Sequence, residues 1–235
     1  MTIINTQNYN GIFDIVKGDC ISIVGSGGKT SLMGFLAKSC GYKTLITTTT
    51  KLSSVSEFPI IYGKENIINA KENIIIGAKA KFNGEKIIGF DLDTLKQIAD
   101  FFDIVFVESD GSKRKPLKGW KSHEPVNPPF STKTIGVINV NPVGQIIDSS
   151  FIHNVCEFCD ISSSKDGERL SIEHLKNVIE NKNGLFKQSY GEKLIYFSQI
   201  ESQEAYINAK SIRDLLSKDI KCIAGSVLQS YFEVI

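Results

Sequence analysis

The chain is poor in several residue types. Among 235 residues there are one tryptophan, two methionines and three histidines. No apolar run approaches the roughly 18 uninterrupted residues of a membrane-spanning helix, so no membrane partner is expected. The first 19 residues have neither a basic start nor a long apolar stretch, so no secretory leader is expected. The five cysteines (Cys20, Cys40, Cys156, Cys159 and Cys222) are odd in number and scattered. That pattern argues against a disulfide framework and for the reducing cytoplasm. An excess of one charge is also missing. Twenty-seven Lys and Arg stand against 26 Asp and Glu, a formal net charge of +1. This excludes the broad basic face of a duplex nucleic-acid binder. Repeats and low-complexity segments are absent.

What is present is ordinary globular composition, 41% hydrophobic and 23% charged. The length allows one large domain, and a single domain over 1–235 is expected. Apolar runs of strand length alternate with helix-like stretches. Strands are expected at 20–24, 43–48, 58–62, 103–108, 134–140, 194–197 and, last, 221–224. Helices are expected at 32–39, 91–101 (with Asp91 as N-cap), 151–158, 171–180 and 201–216. Near-continuous apolar strands separated by helices argue for an α/β fold with a mainly parallel sheet covered on both faces. Asn83-Gly84, between 74–76 and 86–90, predicts a small β-hairpin insertion at about 74–90. A basic, Pro-rich loop fills 111–133. A loop of that length inside a compact domain points to function.

The sharpest signal is Gly25-Ser26-Gly27-Gly28-Lys29-Thr30-Ser31 between a strand and a helix. Glycines let successive backbone N–H groups curl around an anion, and the helix N-terminus adds partial positive charge. Lys29 is expected to reach the β- and γ-phosphates of a nucleotide, and Thr30 to ligate Mg²⁺. The loop is a shortened variant, with two residues rather than four between Gly25 and Gly28-Lys29-Thr30.

The strand 103–108 ends in Glu108-Ser109-Asp110-Gly111. It would deliver a carboxylate to the sheet edge beside the glycines. Only one of the two acids is expected to face the metal. Asp110 is favoured for Mg²⁺ and γ-phosphate sensing, Glu108 as the acid near the attacking water. The run Thr47-Thr48-Thr49-Thr50-Lys51 suits a strand by propensity alone. It equally offers hydroxyls (Thr48, Thr49) and a second cation (Lys51) to the nucleotide. Between 111 and 121 there are five cations and no acid. Lys113, Arg114 and Lys118, with His123 beyond them, are candidate contacts to phosphate or to a second substrate.

Weaker signals remain open. His153, Cys156 and Cys159 have metal-ligand spacing, and equally the spacing of one packed helix face. Ser198-Gln199-Ile200-Glu201 occupies the register of the guanine-reading Asn-Lys-x-Asp but has none of its diagnostic residues. ATP is therefore the default nucleotide, with GTP as the alternative.

Together, Ile23 to Thr30, Thr47 to Lys51, Glu108 to Lys118 and His123-Glu124-Pro125 resemble the YqeC family, described as accessory proteins of selenium-dependent molybdenum hydroxylases. The resemblance spans most of the chain. It implies a P-loop NTPase-like three-layer fold and a role in maturing those hydroxylases or inserting their cofactor, with the hydroxylase or its cofactor-maturation proteins as partners. On this reading Lys29, Glu108 and Asp110 carry catalysis and Thr30, Asp110 and Glu108 serve Mg²⁺. Two alternatives stand beside it: a small-molecule kinase or ligase-like phosphoryl transferase, and a non-catalytic nucleotide-binding or cysteine-based carrier module.

Overall fold

A computed structural model describes residues 8–53, 57–82 and 86–235. In chain order the elements are α1 (Tyr9–Phe13), β1 (Cys20–Gly25), α2 (Lys29–Ser39), β2 (Thr44–Thr48), β3 (Lys51–Ser53), β4 (Ile60–Tyr62), α3 (Lys64–Ile68), β5 (Ile74–Ala78), β6 (Ala80–Lys81), β7 (Lys86–Ile88) and α4 (Leu92–Ala99). They continue with β8 (Ile104–Glu108), β9 (Leu117–Lys118), β10 (Lys133–Asn139), β11 (Ile152–His153), α5 (Val155–Ser162), α6 (Ile172–Glu180), β12 (Glu192–Ser198), α7 (Gln203–Leu215), β13 (Lys221–Ser226) and β14 (Tyr231–Val234).

Nine strands form one sheet in the order β4-β5-β2-β8-β1-β10-β12-β13-β14. All neighbours run parallel except β13 and β14. The central strands β1, β2, β8 and β10 are buried along their whole length. Their runs of Ile, Val and Thr fit a sheet covered on both faces. Along β1, Ile21 and Ile23 join a core with α2, while Cys20 and Val24 face the opposite way, toward the layers that hold Leu95 of α4 and Phe158 of α5. This is a three-layer α/β arrangement. Side chains cap the N-termini of α4 and α6, the former at the expected Asp91. Asp91 accepts from the Thr94 N–H at 2.9 Å, and Ser171 accepts from the His174 N–H at 3.3 Å while His174 Nδ1 accepts from the Ser171 N–H. Each cap satisfies an end donor that the helix itself leaves unpaired.

Three expectations change. Residues 74–76 are not an arm of the hairpin: β5 pairs in parallel with β2 and β4 inside the main sheet. The hairpin is the narrower pair β6 and β7, joined by β3 into a three-stranded sheet. Asn83-Gly84, the expected turn, lies outside the described residues. A turn signal acts only on the strand ends next to it, and an unalternating run such as Ile74-Ile75-Ile76 belongs in a buried parallel strand. The expected helix at 151–158 starts later, because Ile152 and His153 pair with Leu117 and Lys118 and Asn154 takes a left-handed φ of 55°. Beyond β13, the last strand expected from the sequence, the chain turns back as β14.

Candidate functional site

The strand order decides where the chemistry meets. β1 lies between β8 and β10, with Ile23 opposite Glu108 on one side and Gly25 opposite Val137 on the other. The turn after β1 therefore lies beside the acidic end of β8. Gly25 and Gly27 have φ of 96° and 82°. A Cβ at Gly25 would fall 2.2 Å from the Val137 carbonyl, and one at Gly27 would fall 2.5 Å from Asn139 Cβ. Only glycine fits a chain of that hand pressed that closely. The turn is pinned from outside as well. The Ser26 hydroxyl donates to the Pro116 carbonyl at 3.0 Å, and the Ser198 hydroxyl and Gln199 Nε2 donate to the Gly27 carbonyl at 2.7 and 3.2 Å.

Lys29 opens α2 and is 3% exposed. Its Nζ donates to the Gly25 carbonyl at 2.6 Å and pairs with Asp110 at 2.9 Å and Glu108 at 3.9 Å. Asp110 is fully buried. Its Oδ2 accepts from the Gly25 N–H at 3.0 Å and from Trp120 Nε1 at 2.6 Å, and lies 3.3 Å from Lys118 Nζ. The Thr30 hydroxyl donates to Glu108 Oε2 at 2.8 Å. Burial pulls the Lys29 ammonium down, but Asp110 and Glu108 outweigh it and hold it above the ordinary lysine value. Burial likewise opposes ionisation of Asp110, yet Lys29, Lys118 and the Gly25 N–H bring its carboxyl below the usual range. At Glu108 burial prevails over Lys29 and Thr30, and its carboxyl sits above the usual range. Asp110 is thus the fixed anion of the site, and Glu108 the acid less firmly held in its charged form.

A cleft of about 1190 Å³ opens over the turn. The sequence-predicted Gly27, Gly28, Lys29, Thr30, Ser31, Lys51, Glu108, Lys113, Arg114 and His123 line it. Others stand behind it. Gly25 and Ser26 are the buried part of the turn, and Asp110 is buried as well. The Thr48 hydroxyl donates to the Glu108 carbonyl at 2.7 Å, and Thr49 to the Val126 carbonyl at 2.7 Å, so both fasten neighbouring backbone. Lys118 is 1% exposed, held by Asp110, by Glu124 at 3.4 Å and by the Gly111 carbonyl at 2.7 Å. The lining also holds His153 and two residues that no sequence motif contains, Lys86 and Asn139. Trp120 likewise lies outside the motifs, and being the sole tryptophan it was the available signal. Asn139, at the end of a fully buried strand, was another. No group of three metal-ligating side chains occurs among the described residues, so His153, Cys156 and Cys159 do not converge. A second depression, of about 270 Å³ beside Phe186 and Lys193, holds none of these groups. Among the described residues no helix is long and apolar enough to cross a membrane.

Comparison with known proteins bears on identity. The family model described as YqeC protein matches residues 21–156. The chain is 28% identical over 218 residues to the Escherichia coli (strain K12) protein named "Uncharacterized protein YqeC", covering 86% of this chain and 85% of that one. No solved structure matches. The matched segment contains the glycine turn, both acids and the basic loop, and with it the chain belongs to the YqeC family.

Proposed function

We propose that the cleft binds a nucleoside triphosphate with Mg²⁺ and hydrolyses it. The observation that carries this reading is the meeting of three features at one sheet edge. They are a glycine turn shaped by positive φ, the N-terminus of an eleven-residue helix bearing Lys29 and Thr30, and a carboxylate, Glu108, held 2.8 Å from the Thr30 hydroxyl. The backbone N–H groups of the turn and the helix N-terminus favour a phosphate chain. Lys29 would neutralise it, exchanging Asp110 for phosphoryl oxygens. Thr30 and Glu108 present hard oxygen donors side by side, which suits Mg²⁺. When bound there, Mg²⁺ supplies electrostatic stabilisation of charge on the phosphoryl oxygens. Asp110 then acts as a positioning residue that fixes Gly25 and Lys29 from below. Glu108 sits at the cleft surface, where it can also orient water.

ATP is the default nucleotide, since Ser198 to Glu201 lack the guanine-reading residues. The family resemblance supports a role as an accessory protein in the cytoplasm, coupling turnover to maturation or cofactor insertion in selenium-dependent molybdenum hydroxylases. The test is a calorimetric panel of ATP, GTP and CTP with and without Mg²⁺, on the native chain and on Lys29→Ala. The expected result is Mg²⁺-dependent binding of one triphosphate, weakened at least about tenfold by the substitution. Equal affinity in both proteins, or no binding by either, rejects the reading.

A further inference from the structure

Among the described residues two carboxylates line the cleft, Glu108 and Glu124. They differ in what their oxygens do. Both oxygens of Glu108 are engaged: Oε2 accepts from the Thr30 hydroxyl at 2.8 Å, and Oε1 lies 3.9 Å from Lys29 Nζ. Glu124 is held by one oxygen only. Its Oε2 lies 3.4 Å from Lys118 Nζ and accepts from Asn154 Nδ2 at 3.5 Å. Its Oε1 has no partner among the described residues and is open to solvent, on a side chain 15% exposed. The free carboxylate oxygen of the lining therefore belongs to Glu124.

Two tethers place Glu124 beside the tip of β8. The first runs through side chains. Lys118 Nζ lies 3.3 Å from Asp110 Oδ2, and Asp110 Oδ1 lies 2.9 Å from Lys29 Nζ, so buried ion pairs link Glu124 to the lysine that opens α2. The second runs through backbone. Two residues on, the Val126 N–H donates to the carbonyl of Ser109, the neighbour of Glu108, at 2.9 Å. The negative charge of Glu124 also joins those of Asp110 and Glu108 in holding the Lys29 ammonium above its ordinary value. The anchors of Glu124 are fixed in turn. The Lys118 side chain is fully buried, and Asn154 Nδ2 also donates to the Gly119 carbonyl at 3.2 Å.

We infer that Glu124 is a further catalytic residue, the general base that takes a proton from the attacking water, while Glu108 stays with Thr30 at Mg²⁺. The inference rests on the nucleotide reading. A general base must be held in place and keep a lone pair for the reacting proton. Glu124 meets both conditions, whereas the oxygens of Glu108 are already occupied. In the step the water oxygen bonds to the terminal phosphorus as the bond from that phosphorus to the bridging oxygen breaks. The diphosphate leaves with the electron pair. The water proton passes to Glu124 Oε1 and then to solvent.

The experiment compares the full native chain with Glu124→Gln. The amide keeps an oxygen for Lys118 and Asn154 but presents N–H to the water in place of a lone pair. Calorimetry with Mg²⁺ and a non-hydrolysable ATP analogue reads binding, and single-turnover release of inorganic phosphate from ATP reads chemistry. The expected result is an affinity changed less than about threefold and a rate lowered at least about a hundredfold. A rate within about tenfold of native overturns the inference. If Glu124→Gln loses the analogue, Glu124→Ala is assayed with added formate, a small carboxylate that fits the vacated space. Saturable recovery of turnover then supports the inference, and no recovery overturns it. A native chain that binds no analogue, or binds without turnover, rejects the nucleotide-hydrolysis reading itself and takes the inference with it. Native binding and turnover that Glu124→Gln leaves intact overturn the inference alone.

Discussion

Trp120 Nε1 donates a 2.6 Å hydrogen bond to Asp110 Oδ2, the same oxygen that accepts from the Gly25 N–H. One carboxylate thus ties the basic loop to the glycine turn, with Lys29 and Lys118 as its counter-charges. Its charge should be needed for the fold itself. Asp110→Asn keeps the shape but leaves two buried ammonium groups poorly compensated. Removing one member of a buried ion pair costs about 3–5 kcal/mol. Urea unfolding at neutral pH should show a loss of that order, and a loss below about 1 kcal/mol would mean that Lys29 and Lys118 find water in the native state.

Trp120 should also report ligand binding. It is the only tryptophan, it is 4% exposed, and it touches the carboxylate that holds Lys29. Moving Lys29 from Asp110 to a phosphate chain changes the charge beside the indole. Titration with Mg²⁺ and ATP should therefore give a saturable change in tryptophan emission, and Lys29→Ala should abolish it. Calorimetrically proven binding with constant emission would show that Lys29 stays on Asp110.

Much of this arrangement is readable from the residues. Strand–glycine turn–helix places Lys29 and Thr30 correctly because β1 is uniformly apolar and Gly25, Gly27 and Gly28 need φ that other residues avoid. The acidic strand end is readable for the same reason. What the sequence hides is which way two nearby acids face. Glu108 and Asp110 differ in partners rather than in spacing. Glu108 meets Thr30, whereas Asp110 is enclosed by Trp120 and Lys118, which come from a loop whose path no periodicity reveals. The same holds for Lys118, one of five cations in a run, which is the one folded inward by the pairing of β9 with β11. At β5, a local turn signal loses to the burial preference of a continuous apolar run.

Gly27 and Gly167 form a natural pair for separating strain from crowding. Their φ angles are 82° and 83°. A Cβ at Gly167 would meet nothing within 4 Å, while one at Gly27 would fall 2.5 Å from Asn139 Cβ and 2.9 Å from the Pro116 carbonyl. Gly167→Ala should cost about 1–2 kcal/mol, the price of left-handed backbone alone. Gly27→Ala should cost at least about 1 kcal/mol more, because backbone and a buried side chain must shift. Urea midpoints of the two variants check this, and equal losses would show that the turn relaxes freely around a methyl group.

Alkaline pH should weaken the fold through its buried thiols. Burial pushes the Cys20 thiol up to about 12, against a hydrogen bond from Ser131, and burial pushes the Cys222 thiol up to about 11. Both ordinarily ionise near 9. A group whose pKa is raised in the folded state contributes stability that is fully present below the unfolded value and is lost as pH rises through the folded one. Here the unfolded chain releases these protons first, so unfolding becomes easier from about pH 9 upward. Each thiol adds a slope of at most about 1.4 kcal/mol per pH unit between its two values. Unfolding free energies measured between about pH 8 and 11 should fall with pH, and the fall should be shallower in Cys20→Ala by up to that slope. Comparing slopes rather than absolute stabilities removes the packing cost of the substitution, so parallel pH profiles for the two proteins would show that the Cys20 thiol titrates from an open, hydrated position rather than from beneath the sheet.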